Sequence, residues 1–240
     1  GAKDPPYAIG SKDVDSLGVE LHTPLGFWRA VGHSHNGFFV ESVADELAHL
    51  AGEDPAAFRK RFYGDHPRHK AVLEAVTTLA KWDTPRAKGR HLGIAVHESF
   101  GSVVGQVVEL SVSTDKVVIL HRIWCAIDCG LVVNPDTVKA QMEGGIIYGL
   151  SAATRGEITM VEGAVEQSSF DDYPIMRMDE VPPIEVKILT SGDVPTGVGE
   201  TGLPPIAAAV ANAIFGATEE RIRRLPFARS GYTEWRADPV

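Results

Sequence analysis

A single carboxylate stands among glycines in the segment 196–205 (TGVGETGLPP), directly before a strongly apolar stretch. Glu200 follows Gly199 and stands two residues before Gly202. A carboxylate on such a loop, beside the start of an apolar helix, can project into a largely dry pocket. Desolvation raises the pKa of a carboxyl group toward the range of a general base, although the dipole of the following helix opposes that shift. The residue types therefore indicate proton abstraction by Glu200, with an ordinary surface turn as the alternative.

The same loop matches the nucleotide-binding pattern G-x-G-x-x-G through Gly197, Gly199 and Gly202, and Glu219 follows at a suitable distance. Six residues (SGDVPT) separate the preceding strand pattern from the first glycine, and two prolines open the helix that follows. A dinucleotide-binding half also needs more strands than this part of the chain offers. We therefore reject a dinucleotide site here.

The segment Gly32–Asn36 (GHSHN) carries a second set of reactive side chains. It nearly matches the nucleophile elbow G-x-S-x-G, with Ser34 as nucleophile, but asparagine replaces the last glycine. Its two histidines form an H-x-H pair, to which His22 or His97 could add a third metal ligand. A serine hydrolase and a metal hydrolase are therefore the alternatives that this segment leaves open.

A third group lies in the segment 128–145, where Gln141 precedes the glycine pair Gly144 and Gly145. The glutamine amide carries both a donor and an acceptor, which suits an amide-rich heterocycle. Glycines beside it let a flat ligand approach the helix backbone. The alternative is an ordinary packed helix start.

The net charge, the length of the apolar stretches and the cysteine count exclude several classes of function. The chain has 240 residues and a net charge of −9, so neither a nucleic-acid backbone nor an anionic membrane is an expected partner. No apolar stretch reaches the roughly 18 residues that a membrane span requires. Cys125 and Cys129 are too few for a disulfide scaffold or an iron–sulfur cluster. We expect both thiols to be buried, and no structural metal site.

The elements that must position these residues follow from hydrophobic spacing. In the first third, Phe39, Val43, Leu47 and Leu50 share one helical face. Three helices are predicted here, over 36–50, from Pro55, and over 69–82, followed by a boundary loop at 83–90.

After residue 90 the apolar residues recur at every second position, which predicts strands. Expected elements are strands at 91–96, 102–112, 116–127 and 184–190, a hairpin turning at 162–163, and helices opened by Pro135 and by Pro204. Charged residues 221–224 are expected to be solvated. The predicted fold class is α+β, a helical N-terminal third packed on a mixed-sheet body, divided into domains 1–88 and 89–240.

Taken together and in this order, five segments resemble the molybdopterin-binding subunit of the xanthine dehydrogenase and aldehyde oxidase family, in its isoquinoline 1-oxidoreductase branch. They are GFWRAVGHSHNGFFVESVADELA, GIAVHESFGSVVGQVVELSV, CAIDCGLVVNPDTVKAQMEGGIIYGLSAA, FDDYPIMRMDEVP and GVGETGLPPIAAAVANAIFGATEERIRRLP. The resemblance runs from about Gly26 to near the end of the chain. It implies that domain 89–240 is the C-terminal part of a molybdopterin-binding domain, and that segment 1–88 supplies a strand-turn on the cofactor side.

The resemblance also implies an activity. Members of the family hydroxylate a carbon of an aldehyde or an N-heteroaromatic compound, using water as the oxygen source and molybdenum on a pyranopterin, usually the cytosine dinucleotide in bacteria. Glu200 holds the position of the family's general base. The residues expected to bind the cofactor are Arg29, Ala30, Val31 and Gly32 of the W-R-A-V-G turn, Gln141 and Gly144 of the Q-x-E-G-G helix, and Gly197, Val198 and Gly199.

Family subunits are about three times longer than this chain, so we expect it to be inactive by itself. The implied partners are the rest of the subunit, an iron–sulfur subunit with [2Fe-2S] clusters, a cytochrome as a candidate electron acceptor, and a small-molecule substrate. Cytoplasm and periplasm both stay open, and so does the substrate. Two departures from the family pattern are Thr201, where many relatives have proline, and the GHSHN residues, which leave the roles of His33 and His35 open.

Overall fold

The fold is built around a mixed five-stranded sheet, seen in a computed structural model that describes residues 1–192 and 194–238. Strands β1 (His91–Ser99), β2 (Ser102–Val112) and β3 (Val118–Asp128) form an antiparallel meander. Phe100 and Gly101 make the tight turn between β1 and β2, both at positive φ (52° and 78°), which matches the twist of a two-residue hairpin. The predicted meander is confirmed.

Helices cover both faces of this sheet. These helices are α1 (His33–Leu50), α2 (Pro55–Phe62), α3 (Pro67–Leu79), α4 (Pro135–Thr154) and α5 (Pro204–Thr218). Helices α4 and α5 share one hydrophobic core with one face of the sheet, and α2 and α3 lie on the other side. Gly93 lets α5 lie directly on β1, because a Cβ there would lie 2.1 Å from the Ala209 carbonyl oxygen. The α+β class with a mixed sheet is confirmed, and the division at residue 88 stays a prediction.

Two parallel strands and a short hairpin complete the fold. Strands β4 (Met160–Val161) and β5 (Ala164–Val165) form the predicted hairpin, shorter than expected. Strands β6 (Ile184–Leu189) and β7 (Trp235–Ala237) both pair with the free edge of β3, in parallel. None of the helices of residues 1–192 and 194–238 is long and apolar enough to cross a membrane.

The C-terminal part differs from its prediction as a solvated charged end. Arg221 is mostly buried, pairs with Asp45 of α1 at 2.7 Å, and stacks over the Phe215 ring. Beyond it, Phe227, Tyr232 and Trp235 are buried. The expectation of solvation was wrong for Arg221, because α1 supplies an acidic partner that is distant in sequence.

Helix α1 buries a different face from the one that its apolar spacing marks. Phe39, Val43 and Leu47 are 52%, 51% and 43% exposed. The buried face instead holds Glu41, whose carboxylate accepts hydrogen bonds from Arg59 Nε at 2.9 Å and from the Val96 amide at 2.8 Å. Buried polar groups in folded proteins are nearly always hydrogen-bonded, and these donors meet that requirement for the Glu41 carboxylate. This network fixes α1 against α2 and the edge of β1.

Candidate functional site

The packing of α1 on α5 brings together the segments that precede the two helices. A Cβ at Gly37 of α1 would lie 2.7 Å from the Pro204 carbonyl oxygen at the start of α5. Their N-terminal ends are therefore in direct contact. The residues just before α1 are Trp28–Gly32, the WRAVG turn, and those before α5 include 197–201, the GVGET loop. Both predicted site segments therefore meet beside the N-terminal ends of α1 and α5.

The WRAVG turn has a strained backbone. Ala30 and Val31 adopt φ values of 72° and 48°, in the left-handed region that costs a residue with a Cβ about 1–2 kcal/mol. The turn is closed by the Val31 amide donating to the Trp28 carbonyl and the His33 amide donating to the Ala30 carbonyl, each at 2.9 Å. Such strain persists only where the surroundings hold it, and the GVGET loop supplies part of that support.

Three side-chain contacts join the WRAVG turn, the GVGET loop and α4. The Ala30 amide donates to Glu200 Oε1 at 2.9 Å. Arg29 Nε donates to the Gly199 carbonyl at 2.8 Å, and Arg29 Nη2 donates to Gln141 Oε1 at 3.0 Å. Charge-assisted hydrogen bonds of this kind are stronger than neutral ones. The structure therefore brings Arg29, Ala30, Gly199, Glu200 and Gln141 into one connected site.

Residues of the β1–β2 hairpin hold the backbone of the GVGET loop and of the adjacent Gly202 by hydrogen bonds. The Gly197 amide donates to the Phe100 carbonyl at 3.0 Å, and Ser102 Oγ donates to the Gly197 carbonyl at 2.6 Å. Gln106 Nε2 donates to the Gly202 carbonyl at 2.7 Å. Sequence reasoning missed these three hairpin residues. The only sequence signal was the polar Gln106 in a run of valines, which needs a buried partner.

The glycines of α4 divide into two kinds. A Cβ at Gly145 would lie 3.2 Å from Gly202 Cα, and one at Gly149 would lie 2.5 Å from Ile206 Cγ2. These two glycines allow α4 to pack closely against α5 and the residues before it. A Cβ at Gly144 would meet nothing within 4 Å. Gly144 therefore leaves open space over the helix backbone, as a site for a flat ligand would require.

Gln141 and two aromatic rings border that open space. Among the described residues the Gln141 amide nitrogen has no hydrogen-bond partner, while its oxygen is held by Arg29. Tyr148 lies two helical turns further along α4. Its ring packs against Trp28 at a centroid distance of 5.1 Å, with the ring planes tilted by 33°, and lies under the Arg29 guanidinium. A fixed amide donor beside an open helix backbone fits a ligand rich in ring nitrogens and carbonyl groups. The i, i+7 spacing from Gln141 was the signal that could have revealed Tyr148.

The GHSHN residues show no hydrolase arrangement. Ser34 Oγ donates to the Val31 carbonyl at 2.7 Å, which engages the hydroxyl with backbone. His33 Nδ1 and His97 Nε2 lie 3.0 Å apart, bonded to each other, and His22 is exposed. Within residues 1–192 and 194–238, no three His, Cys, Asp or Glu side chains are grouped to hold a metal ion. Cys125 and Cys129 are buried free thiols, as predicted.

The chain is similar in sequence to known cofactor-binding proteins. A profile of the molybdopterin cofactor-binding domain family matches residues 37–182. The chain is 34% identical over 224 residues to the beta subunit of isoquinoline 1-oxidoreductase from Brevundimonas diminuta, covering 92% of this chain and 29% of that relative. It is 32% identical over 247 residues to a nicotinate dehydrogenase subunit from Pseudomonas putida, covering 92% and 20%. The chain thus spans less than a third of the length of these curated relatives.

A solved structure shares the fold. Quinoline 2-oxidoreductase from Pseudomonas putida 86 superposes with a TM-score of 0.77 at 13% identity, over 88% of this chain and 53% of that one. At this identity the match concerns the architecture alone.

Proposed function

The chain belongs to the molybdopterin cofactor-binding domain family, and we propose that it forms the C-terminal portion of the catalytic subunit of a molybdenum hydroxylase. The proposed reaction is oxidation of an aldehyde or an N-heteroaromatic compound with oxygen from water. The observation that carries the proposal is the hydrogen-bonded assembly that joins Glu200, the WRAVG turn and Gln141 beside the open backbone of α4. We assign Glu200 as the general base.

The residues present fit the heterocycle of a molybdopterin, and we propose the cytosine dinucleotide form because the family resemblance implies it. The unengaged Gln141 amide nitrogen and the open surface at Gly144 suit its heterocycle. The main chain of Arg29–Gly32 and of Gly197–Gly199 would border it. When bound, the cofactor supplies two-electron redox chemistry and the place at which water is activated.

Glu200 can hold a proton at a defined atom. Its Oε1 is fixed by the Ala30 amide, whereas Oε2 makes no hydrogen bond within the described part of the chain. A general base needs such a free oxygen in a fixed position, since proton transfer depends on hydrogen-bond reach first and on pKa second. Arg29 fixes the neighbouring Gly199 carbonyl and so limits movement of the loop. We therefore assign Oε2 as the oxygen that takes the proton.

The remaining parts of the proposed enzyme lie outside this chain. The rest of the molybdenum-binding subunit would complete the substrate pocket, and [2Fe-2S] clusters on a partner subunit would carry electrons onward, with a cytochrome as a further acceptor. The proposal is consistent with the cysteine count, because Cys125 and Cys129 are fewer than the four thiolates that a [2Fe-2S] cluster requires.

Substitution of Glu200 by glutamine in the assembled enzyme tests the assignment. We expect kcat to fall at least about 10²-fold with an unchanged molybdenum content, because the shape is kept and the base is lost. Glu166→Gln, which changes an exposed carboxylate directly after β5, should leave kcat unchanged. Full activity of Glu200→Gln would overturn the assignment. Labelling of Ser34 by a fluorophosphonate would favour a hydrolase instead.

A further inference from the structure

We infer that the end of the β1–β2 hairpin positions Glu200, with His97 acting through His33 as a positioning residue. The inference rests on the proposed role of Glu200 as a base. It assigns a function to His33, whose role the family pattern leaves open, and to its partner His97.

On the side of the WRAVG turn, the link consists of three successive hydrogen bonds. His97 belongs to β1 and is 5% exposed, and its Nε2 lies 3.0 Å from His33 Nδ1. The His33 amide donates to the Ala30 carbonyl at 2.9 Å, and the Ala30 amide donates to Glu200 Oε1 at 2.9 Å. A rigid strand is thereby connected to the carboxylate through the strained turn.

On the side of the GVGET loop, the same hairpin end makes independent contacts. The Phe100 carbonyl and the Ser102 hydroxyl hold both polar groups of the Gly197 backbone. The His33 ring packs on Phe100 at a centroid distance of 5.3 Å. One hairpin end therefore contacts both segments that place Glu200, and it can fix the distance between them.

The chemistry of the histidine pair suits a structural bond and not a proton store. A bond between two imidazoles requires one N–H donor and one unprotonated acceptor. Burial lowers the pKa of His97 to about 3 and also lowers the pKa of His33. Both rings are therefore neutral at pH 7, and the bond persists there.

Paired substitutions separate this bond from general packing. His97→Leu removes the bond, whereas the amide of His97→Gln can occupy the place of Nε2. Likewise His33→Ala removes the bond, and His33→Asn can replace Nδ1. His121→Leu is the matched control, because His121 lies on β3 and bonds to Ser111 and Asp238 outside this site.

Hydrogen exchange by mass spectrometry on the chain, as purified with its partners, is the primary measurement. We expect peptides covering residues 28–33 and 196–201 to exchange about tenfold faster in His97→Leu and His33→Ala, as loss of one buried hydrogen bond predicts. The Gln, Asn and His121→Leu variants should match the unsubstituted chain in these peptides. In the assembled enzyme, the two bond-deleting variants should lower kcat about tenfold with little change in KM, and the two amide variants should recover it.

Unchanged exchange at 28–33 in both bond-deleting variants would overturn the inference. So would an equal response to His121→Leu, which would indicate a general loss of stability. If His97→Leu fails to fold, His33→Ala and its asparagine partner decide the matter, because His33 is only half-buried. The exchange result does not depend on the chemistry of Glu200, so failure of the Glu200→Gln prediction remains distinguishable from failure of this inference.

Discussion

Asp128, at the end of β3, is a fully buried carboxylate that several donors satisfy. Arg68 of α3 donates to it through Nε at 3.1 Å and through Nη2 at 3.2 Å. Ser191 and the Gly130 amide add further hydrogen bonds. Burial alone would raise the pKa of Asp128, but these hydrogen bonds outweigh it and hold the pKa below its ordinary value. At the scale of single residues, stability therefore depends on which buried charges keep their donors.

Substitution of Arg68 by alanine should destabilise the chain by about 3 kcal/mol, because it leaves a buried carboxylate without its main partner. Arg122→Ala removes an exposed pair with Glu185 and should cost less than about 1 kcal/mol. Urea denaturation of both variants at pH 7 measures the difference. Equal effects of the two substitutions would contradict the assignment of Asp128 as a donor-dependent group.

The pH dependence of the same pair has a defined sign. Since the folded pKa of Asp128 lies below the unfolded value of about 3.9, its contribution to stability is complete above about pH 4 and is lost as the pH falls through the folded pKa. The destabilisation caused by Arg68→Ala should therefore be largest at neutral pH and shrink as the pH falls below about 4. A urea series across this range checks it, and a constant difference at all pH values would refute it.

At the scale of elements, the close approach of α4 to α5 depends on where the glycines stand. Gly149 faces Ile206 in contact, whereas Gly144 of the same helix faces open space. The sequence marks both positions equally as weak helix formers. Only their neighbours across the helix interface distinguish a packing glycine from one that leaves room for a ligand.

Alanine at these two positions should have opposite effects on stability. Gly144→Ala should stabilise the chain by up to about 1 kcal/mol through helix propensity. Gly149→Ala gains the same propensity but collides with Ile206, and should destabilise by about 1–3 kcal/mol. Thermal melts of the two variants measure this.

In the assembled enzyme, Gly144→Ala should also lower the molybdenum content, because the added methyl group occupies the open surface proposed for the cofactor. A normal molybdenum content in that variant would argue against cofactor binding at Gly144.

At the scale of the whole molecule, an apolar surface on α1 is left without cover by the described residues. A groove of about 460 Å³ runs between the exposed side of α1, helix α2 and the N-terminal segment, lined by Tyr7, Val14, Phe39, Val43, Phe58 and Phe62, among others. Exposed apolar patches of this kind mark interaction surfaces. Since the curated relatives extend far beyond the aligned region, we propose that the remainder of the molybdenum-binding subunit covers this groove.

Substitution of Val43 by aspartate should separate folding from assembly. The side chain is half-exposed, so the melting temperature of the chain should change by only a few degrees. Association with the rest of the subunit should be lost, because a carboxylate would be buried in an apolar contact. Met178→Asp, at another exposed apolar position, is the control. Normal assembly of Val43→Asp, measured by co-purification, would contradict the proposed contact.

The sequence by itself determined the local elements and the identity of the site segments. Apolar periods of two and near four predicted the strands and helices, and turn residues such as Pro135 and Pro204 placed helix starts to within a residue. Residue type and near-neighbour spacing, which are local properties, identified the QMEGG and GVGET segments as chemical candidates, whereas the WRAVG turn entered through the family resemblance alone.

Only the tertiary structure decided how these parts meet. The face of α1 that is buried follows from Arg59 and Val96, which satisfy Glu41 from distant segments. The contact of Arg29 with Gly199 joins residues 170 positions apart, and β7 was too short to be predicted without its partner β3. Partners remote in sequence leave no periodic trace, because the packing of helices on the sheet brings them together.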